Sequence, residues 1–174
     1  MKERDSRRSR LLEETRQAFD RHATRRAAAR DNGAGSPAPG DVYVLDRTAE
    51  FDVEWAIIDR DPGNAERLLT VPADGCSLVG SADVEVSEMA PFGPLVLRCR
   101  FGSWIDAECF DPGVRVGVIG PDDVARALVK LGEVEDGRLE GHGSNPDTDL
   151  DPDYRDWVEG VLVPARLALA GPLT

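Results

Sequence analysis

Residues 41–71 read DVYVLDRTAEFDVEWAIIDRDPGNAERLLTV and contain three short apolar runs separated by polar connections. The runs occupy 42–45, 53–58 and 67–71, and Asp-Pro-Gly-Asn at 61–64 has the composition of a turn. Runs of β-branched and aromatic residues that are bounded by Gly, Pro, Asn and Asp are typical of strands joined by short connections. The stretch therefore predicts three consecutive antiparallel strands.

Similar short runs continue through the middle of the chain. Apolar and acidic residues alternate over 82–86, and further apolar runs occupy 95–101 and 104–107. Six short strands, with no helical pattern between them long enough for a parallel crossover, favour an antiparallel sheet. We expect a small curled antiparallel sheet or an SH3-like barrel.

Two helices are predicted after the strands. Gly-Pro-Asp-Asp at 120–123 is typical of a helix start, and apolar residues then recur at helical spacing until Gly132. The second helix is expected to begin near Asp151 and Pro152. Pro164 is expected to kink or break it, because a proline ring collides with the carbonyl group four residues earlier. The predicted fold class is therefore α+β.

Charge divides the chain into two parts. Residues 1–30 carry ten Lys/Arg against five Asp/Glu, a net charge of +5, and the remaining 144 residues carry 11 against 28, a net charge of −17. Residues 6–30 are rich in good helix formers, and Gly, Ser and Pro at 31–40 are typical of a flexible linker. We therefore expect a basic, peripheral helical arm over 1–30, a linker over 31–40 and a single acidic α+β domain over 41–174.

This charge asymmetry bears on partners more than on the fold. An acidic domain repels phosphate groups and anionic lipid, so we expect no membrane partner, and nucleic acid only through the arm. The expected partner is another protein with a basic surface, or with a groove that accepts the arm through Leu12 and Phe19, which lie seven residues apart. No signal segment and no metal-ligand spacing of cysteines are evident, so a cytoplasmic protein is expected.

The candidate catalytic or binding groups are carboxylates and arginines. Glu54 and Asp106 are acids within apolar strand patterns, where loss of contact with water makes a carboxyl group a candidate acid or base. The commoner outcome is that both lie on the exposed face of their strands. Arg98 and Arg100 alternate with apolar residues, so we expect them to share a face, where a small basic patch could hold an anion. Pairing with neighbouring acids is the commoner outcome for such arginines. All three tryptophans are expected in the core.

The sequence predicts no metal site and no cofactor. Two histidines and three widely spaced cysteines form no zinc pattern, and neither of the common glycine-rich nucleotide loops is present. Oxygen-bearing side chains over 145–156 follow the ligand spacing of an EF-hand, but Leu150 stands where that loop requires glycine. We expect a solvated acidic loop whose last aspartates cap the helix that follows.

One family resemblance involves the first three runs. GDVYVL at 40–45, WAII at 55–58 and LLTVPA at 68–73 resemble the strand order at the start of the small barrel of MazF/PemK-like toxins, which are ribonucleases. That family has an Arg-Pro pair before the second run, where this chain has Val53 and Glu54. The resemblance implies a small barrel and a degenerate nuclease that uses carboxylates with Arg98 or Arg100.

Two functions therefore stay open. The charge asymmetry and the lack of a catalytic motif favour a non-enzymatic interaction module, acting as an adaptor, an inhibitor or an immunity-like partner. The alternative is the MazF/PemK-like barrel protein. A concave pocket that gathers Glu54, Asp106 and an arginine would favour an enzyme, whereas a flat or convex acidic face would favour the interaction module.

Deletion of residues 1–36 is expected to change the thermal midpoint of unfolding by only a few degrees. The reason is that the arm offers little apolar surface for the domain to bury. Thermal melts followed by circular dichroism, on the full chain and on the deletion variant, measure the difference. A fall of more than about 10 °C would show that the arm is part of the core.

Overall fold

The residues that the computed structural model describes are 36–51, 53–75, 78–89, 93–111, 113–137 and 151–170. They form an antiparallel sheet followed by helices, which confirms the α+β class. The predicted helical arm over 1–30, with Leu12 and Phe19, lies outside the described residues. Within the described part, no helix is long and apolar enough to cross a membrane.

Seven strands form a single sheet. They are β1 (Asp41–Val44), β2 (Glu54–Arg60), β3 (Arg67–Asp74), β4 (Asp83–Met89), β5 (Gly93–Arg98), β6 (Ser103–Asp106) and β7 (Val114–Val118). The hydrogen-bonded order is β4-β5-β3-β2-β1-β7, and β6 also pairs with β3. Over the described ranges no pairing joins β4 to β7, so the sheet is open. Six of the strands correspond to predicted runs, whereas β7 was not predicted.

The two predicted helices are present. They are α1 (Pro121–Glu135) and a C-terminal helix composed of α2 (Pro152–Trp157), a π-helical turn (Val158–Leu162) and α3 (Val163–Ala170). The predicted end of α1 at Gly132 is wrong, because the helix continues to Glu135. Gly137 follows with φ +66°, and its N–H donates to the Val134 carbonyl at 3.2 Å. This left-handed glycine, one turn later, ends the helix.

Pro164 neither breaks nor ends the C-terminal helix. The N–H of Val163 donates to the carbonyl of Val158, five residues earlier, which makes the turn before the proline wider than an α-helical turn. Pro164 has no N–H to donate, and the wide turn spares the carbonyl group of Gly160 from collision with its ring. The proline therefore changes the type of helix and leaves the chain helical on both sides.

β3 is the central strand because three other strands pair with it. One edge pairs with β2, and the other pairs with β6 at Arg67 and with β5 at Ala73. A short 3₁₀ helix, Cys99–Phe101, carries the chain from β5 to β6. The predicted strand over 95–101 is therefore too long, since the chain must leave the sheet direction after Arg98 to reach the far end of β3.

Both faces of the sheet are covered, so the domain has two apolar clusters. β1 is buried over its full length, and so are the first five residues of β2, because alternate residues enter different clusters. The cluster under α1 includes Val42, Ala56, Val71, Leu97, Ala127 and Leu131. The cluster under the C-terminal helix includes Tyr43, Trp55, Ile57, Phe110, Leu162 and Leu169.

Candidate functional site

Arg98, the last residue of β5, is fully buried between two aspartates. Its Nε and Nη2 donate to the two carboxylate oxygens of Asp74, each at 2.7 Å. Its Nη1 donates at 2.6 Å to Asp83 Oδ2 and at 2.6 Å to the carbonyl oxygen of Leu78. The two-pronged pairing of a guanidinium with a carboxylate is among the strongest hydrogen-bonded contacts in proteins.

Strand register brings these three charges together. Asp83 lies directly opposite Arg98 in the β4–β5 pair, and Asp74 lies opposite Val96 in the β3–β5 pair. Because Val96 and Arg98 are two residues apart on one strand, they point to the same face of the sheet. Three neighbouring strands therefore contribute one charge each to a single place on that face.

The C-terminal helix covers this place with Tyr154. Its hydroxyl group donates to Asp83 Oδ2 at 3.0 Å, and its ring lies 5.8 Å from the Arg98 guanidinium carbon. The helix begins at this point because Asp151 accepts a hydrogen bond from the N–H of Asp153 at 2.9 Å, which confirms the predicted aspartate cap. We call Asp74, Asp83, Arg98 and Tyr154 the ionic cluster.

The ionic cluster is closed to solvent. Arg98 has no exposed surface, and Asp74 and Asp83 are 3% and 6% exposed. A substrate in solution therefore has no access to the guanidinium group, whose donors are directed at groups of the same chain. The ionic cluster joins three strands to the C-terminal helix and therefore acts as a structural contact.

Arg100 lies apart from Arg98. It belongs to the 3₁₀ helix after β5, is exposed, and directs Nη2 at Ser81 Oγ at 3.5 Å. The expectation that Arg98 and Arg100 share a face is wrong, because strand alternation ends at Arg98. Arg98 pairs with neighbouring acids, which was the commoner of the two outcomes considered. The small basic patch predicted from these two residues is not formed.

Glu54 and Asp106 are also far from each other. Glu54 is 2% exposed, contrary to the expectation of an exposed face, and lies opposite Ala73 near one end of β3. Asp106 is exposed, as expected, and lies opposite Arg67 at the other end of β3. Six residues of strand separate the two places by about 20 Å. The structure therefore does not gather the predicted carboxylates and arginines into one pocket.

A different group of residues lies together on the surface beside β6. Trp104 is 37% exposed, contrary to the expectation of a core residue, and shares a strand face with Asp106. Exposed Glu66 and Glu108 lie close by, because the N–H of Ala107 donates to the carbonyl of Glu66 at 2.6 Å. We call Glu66, Trp104, Asp106 and Glu108 the Trp104 surface.

Arginine side chains adjoin the Trp104 surface. Arg67 Nη2 lies 3.5 Å from the carbonyl oxygen of Trp104, and Arg67 pairs with Asp106 across β3 and β6. Two further arginines are near, because Arg166 Nε donates to Ser103 Oγ of β6 at 2.9 Å and Arg47 lies close enough to Cys109 to affect its pKa, as do Asp106 and Glu108. The Trp104 surface therefore combines an exposed aromatic side chain with carboxylates and arginines, a signal that the sequence contained only as an alternation of polar and apolar residues.

The described thiols are poor nucleophiles. Burial, with a smaller contribution from nearby Asp83, raises the pKa of Cys99 to about 12, against the lowering effect of Lys130. Burial also raises the pKa of half-buried Cys109, against the lowering effect of Arg47. Because the thiolate is the reactive form, neither residue is suited to nucleophilic catalysis at neutral pH. Cys76 lies outside the described residues.

Among the residues that the structure describes, no group of three or more His, Cys, Asp or Glu side chains is arranged to hold a metal ion. Most of the acidic loop over 145–156 lies outside them. Comparison with protein-family models, with curated proteins and with solved structures finds no significant match to this chain. The resemblance to MazF/PemK-like toxins therefore stays a prediction.

Replacement of Arg98 by methionine is expected to lower the free energy of unfolding by about 3–5 kcal/mol, because it leaves two buried carboxylates without their counter-charge. Arg100→Met is the matched control and should change stability by less than about 0.5 kcal/mol. Tyr154→Phe should cost about 1.5–3 kcal/mol through the lost hydrogen bond to a charged acceptor. Urea unfolding measures all three, and equal effects of Arg98→Met and Arg100→Met would contradict this account.

Cys99 is expected to resist alkylation in the folded protein. With a pKa of about 12, only about one Cys99 thiol in 3,000 is ionised at pH 8.5. Iodoacetamide labelling followed by peptide mass spectrometry should therefore show Cys109 reacting at least tenfold faster, and equal labelling only in guanidinium chloride. Since the unfolded thiol ionises near its ordinary pKa of 9.0, the folded state should lose stability as pH rises above about 9. Rapid labelling of Cys99 in the folded chain would refute its burial.

Proposed function

We propose that the chain is a non-enzymatic protein-interaction module, an adaptor, an inhibitor or an immunity-like partner, whose acidic domain binds a basic protein surface. The observation that carries the proposal is the Trp104 surface, on which an exposed indole ring shares a strand face with Asp106, and exposed Glu66 and Glu108 lie at the same end of β6. Tryptophan is enriched among the residues that dominate binding energy at protein interfaces. Acidic neighbours favour a positively charged partner and speed its association.

The charge of the whole domain supports the same kind of partner. The described residues carry 23 Asp/Glu against 10 Lys/Arg, a net charge of −13. Several of the basic side chains are already engaged by acids of the same chain, so their charge is neutralised locally. These are Arg98, Arg115, Arg126 and Lys130. The remaining field is negative and attracts cationic surfaces over roughly a Debye length, about 8 Å at physiological salt.

The placement of the candidate catalytic groups supports a non-enzymatic role. A general acid or base must lie within hydrogen-bonding reach of the group on which it acts, and paired catalytic residues must lie close to one another. Glu54 is buried, Asp106 is exposed at the opposite end of β3, and Arg98 is held by two aspartates. A shared catalytic site would require all three to move.

The alternative function is that of a small MazF/PemK-like barrel protein, a degenerate nuclease that uses carboxylates with Arg98 or Arg100. Its support is the consecutive antiparallel pairing of β1, β2 and β3, the strands that carry the resemblance. Of the two arginines, Arg100 is the one with exposed surface. Cleavage of single-stranded RNA by the full chain, lost on Arg100→Ala, would favour this alternative over the interaction module.

Affinity capture from the native host, quantified by mass spectrometry, tests the interaction module. The variant Asp106→Lys with Glu108→Lys reverses two charges of the Trp104 surface. It is expected to reduce capture of a basic protein at least tenfold, because opposite charges across an interface become like charges. The matched control, Asp156→Lys with Glu159→Lys, makes the same charge change at two exposed positions of the C-terminal helix and should retain that partner.

Two results would contradict the proposal. Undiminished capture by the Asp106→Lys, Glu108→Lys variant would show that the Trp104 surface does not bind the partner. Equal loss in the Asp156→Lys, Glu159→Lys control would show that net charge alone, and no particular surface, retains the partner. Thermal melts of both variants establish that each is folded before capture is compared.

A further inference from the structure

The outer side of α1 has an apolar stripe of its own. Leu128 and Val129 are 39% and 65% exposed, and exposed Ala125 and half-buried Gly132 extend the pattern at helical spacing. At Gly132 an added Cβ would meet nothing within 4 Å, so another backbone has room to approach there. We call Ala125, Leu128, Val129 and Gly132 the α1 stripe. It adjoins the buried face of the same helix, because Leu128 is one turn from Val124 and from Leu131. The apolar face of α1 is therefore wider than its contact with the core, which is typical of a helix with a second packing partner.

Negative charge surrounds the α1 stripe. Residues 121–136 contain five Asp/Glu and two Lys/Arg, a net charge of −3. Both basic residues already bind acids of the same helix, Arg126 with Asp123 and Lys130 with Glu133. A partner that matches this surface is therefore an amphipathic segment with an apolar stripe and a positive charge.

We propose that the α1 stripe is the docking site of the chain's own basic arm, residues 6–30. This segment has a net charge of +5, from eight arginines against three acids, and is rich in good helix formers. Leu12 and Phe19, seven residues apart, are two turns apart on one side of a helix. Packing of this side against the α1 stripe buries apolar surface of both segments and brings their opposite charges together.

The point at which the chain enters the domain suits this contact. Gly40 lies beside the first turn of α1, where an added Cβ would be 3.9 Å from Val124 Cγ2, and its carbonyl accepts from the N–H of Ile119 at 2.9 Å. The nine residues 31–39 can span up to about 30 Å, and α1 is about 22 Å long. The arm is therefore tethered next to the helix that it is proposed to contact.

The tether also favours the same chain over a second copy. A short flexible linker holds its two ends at an effective concentration in the millimolar range, well above the micromolar concentrations of a dilute protein. A weak contact of this kind shifts the thermal midpoint by only a few degrees, in agreement with the expected effect of arm deletion. The inference does not rest on the proposed function, because it involves neither the Trp104 surface nor another protein.

Photo-crosslinking of the full chain tests this docking. With p-benzoylphenylalanine in place of Phe19, illumination is expected to form crosslinks to residues 121–136, mapped by proteolysis and mass spectrometry. Val129→Arg should lower their yield at least fivefold, because it places a charge on the stripe and repels the basic arm. Leu167→Arg is the matched control, since it adds the same charge to a residue of α3 that is 60% exposed, and it should leave the yield unchanged.

The same experiment separates the occupants. In an equal mixture of ¹⁴N- and ¹⁵N-labelled chains, docking within one chain gives crosslinked peptides of a single isotope. Crosslinked peptides of mixed isotope would assign the α1 stripe to a second copy of the chain. Crosslinks to other residues, or no crosslinks, would leave the stripe to another protein. Each of these results overturns the proposal. A crosslink yield that is unchanged in the Val129→Arg variant also overturns the proposal. None of these outcomes affects the capture experiment, which tests the Trp104 surface.

Discussion

The guanidinium group of Arg98 is the constraint on which the arrangement of the domain depends. A charge with no exposed surface is tolerated only where carboxylates and hydrogen-bond acceptors surround it, since burial of an isolated charge is very costly. Asp74 and Asp83 supply the carboxylates from two neighbouring strands, and Tyr154 covers the site from the C-terminal helix. Burial of the Arg98 side chain therefore constrains both the alignment of β3, β4 and β5 and the position of that helix.

The strands were largely predictable because their apolar runs are short and bounded by turn residues, which is a local signal. β7 was not predicted although Val114, Val116 and Val118 alternate with smaller or charged residues. The ionic cluster was beyond prediction for a different reason. Arg98 lies 24 residues from Asp74 and 15 from Asp83 in sequence, and only strand register brings them together. Alternation alone placed Arg98 on one face with Arg100 and did not identify its acidic partners.

The candidate site shows the same limit. Asp106 was correctly expected on an exposed face, because β6 is a short strand with one face in solvent. Glu54 was not expected to be buried, since alternation predicts a solvent face, whereas β2 lies between α1 and the C-terminal helix and has none over its first residues. Trp104 was expected in the core from its residue type. Helices that are distant in sequence determine which strand faces are covered. No local sequence pattern predicts how those helices pack.

The π-helical turn before Pro164 sets the rotational phase of the C-terminal helix. Tyr154 and Leu162 are eight residues apart and both buried, yet in an uninterrupted α-helix the second would be rotated by about 80° from the first. A wider turn takes up an additional residue and removes most of this rotation. Tyr154 at one end and Leu162 at the other can thus both face the sheet. The additional residue of the π-helical turn corrects the angle between a hydrogen-bonding side chain and an apolar side chain of the same helix.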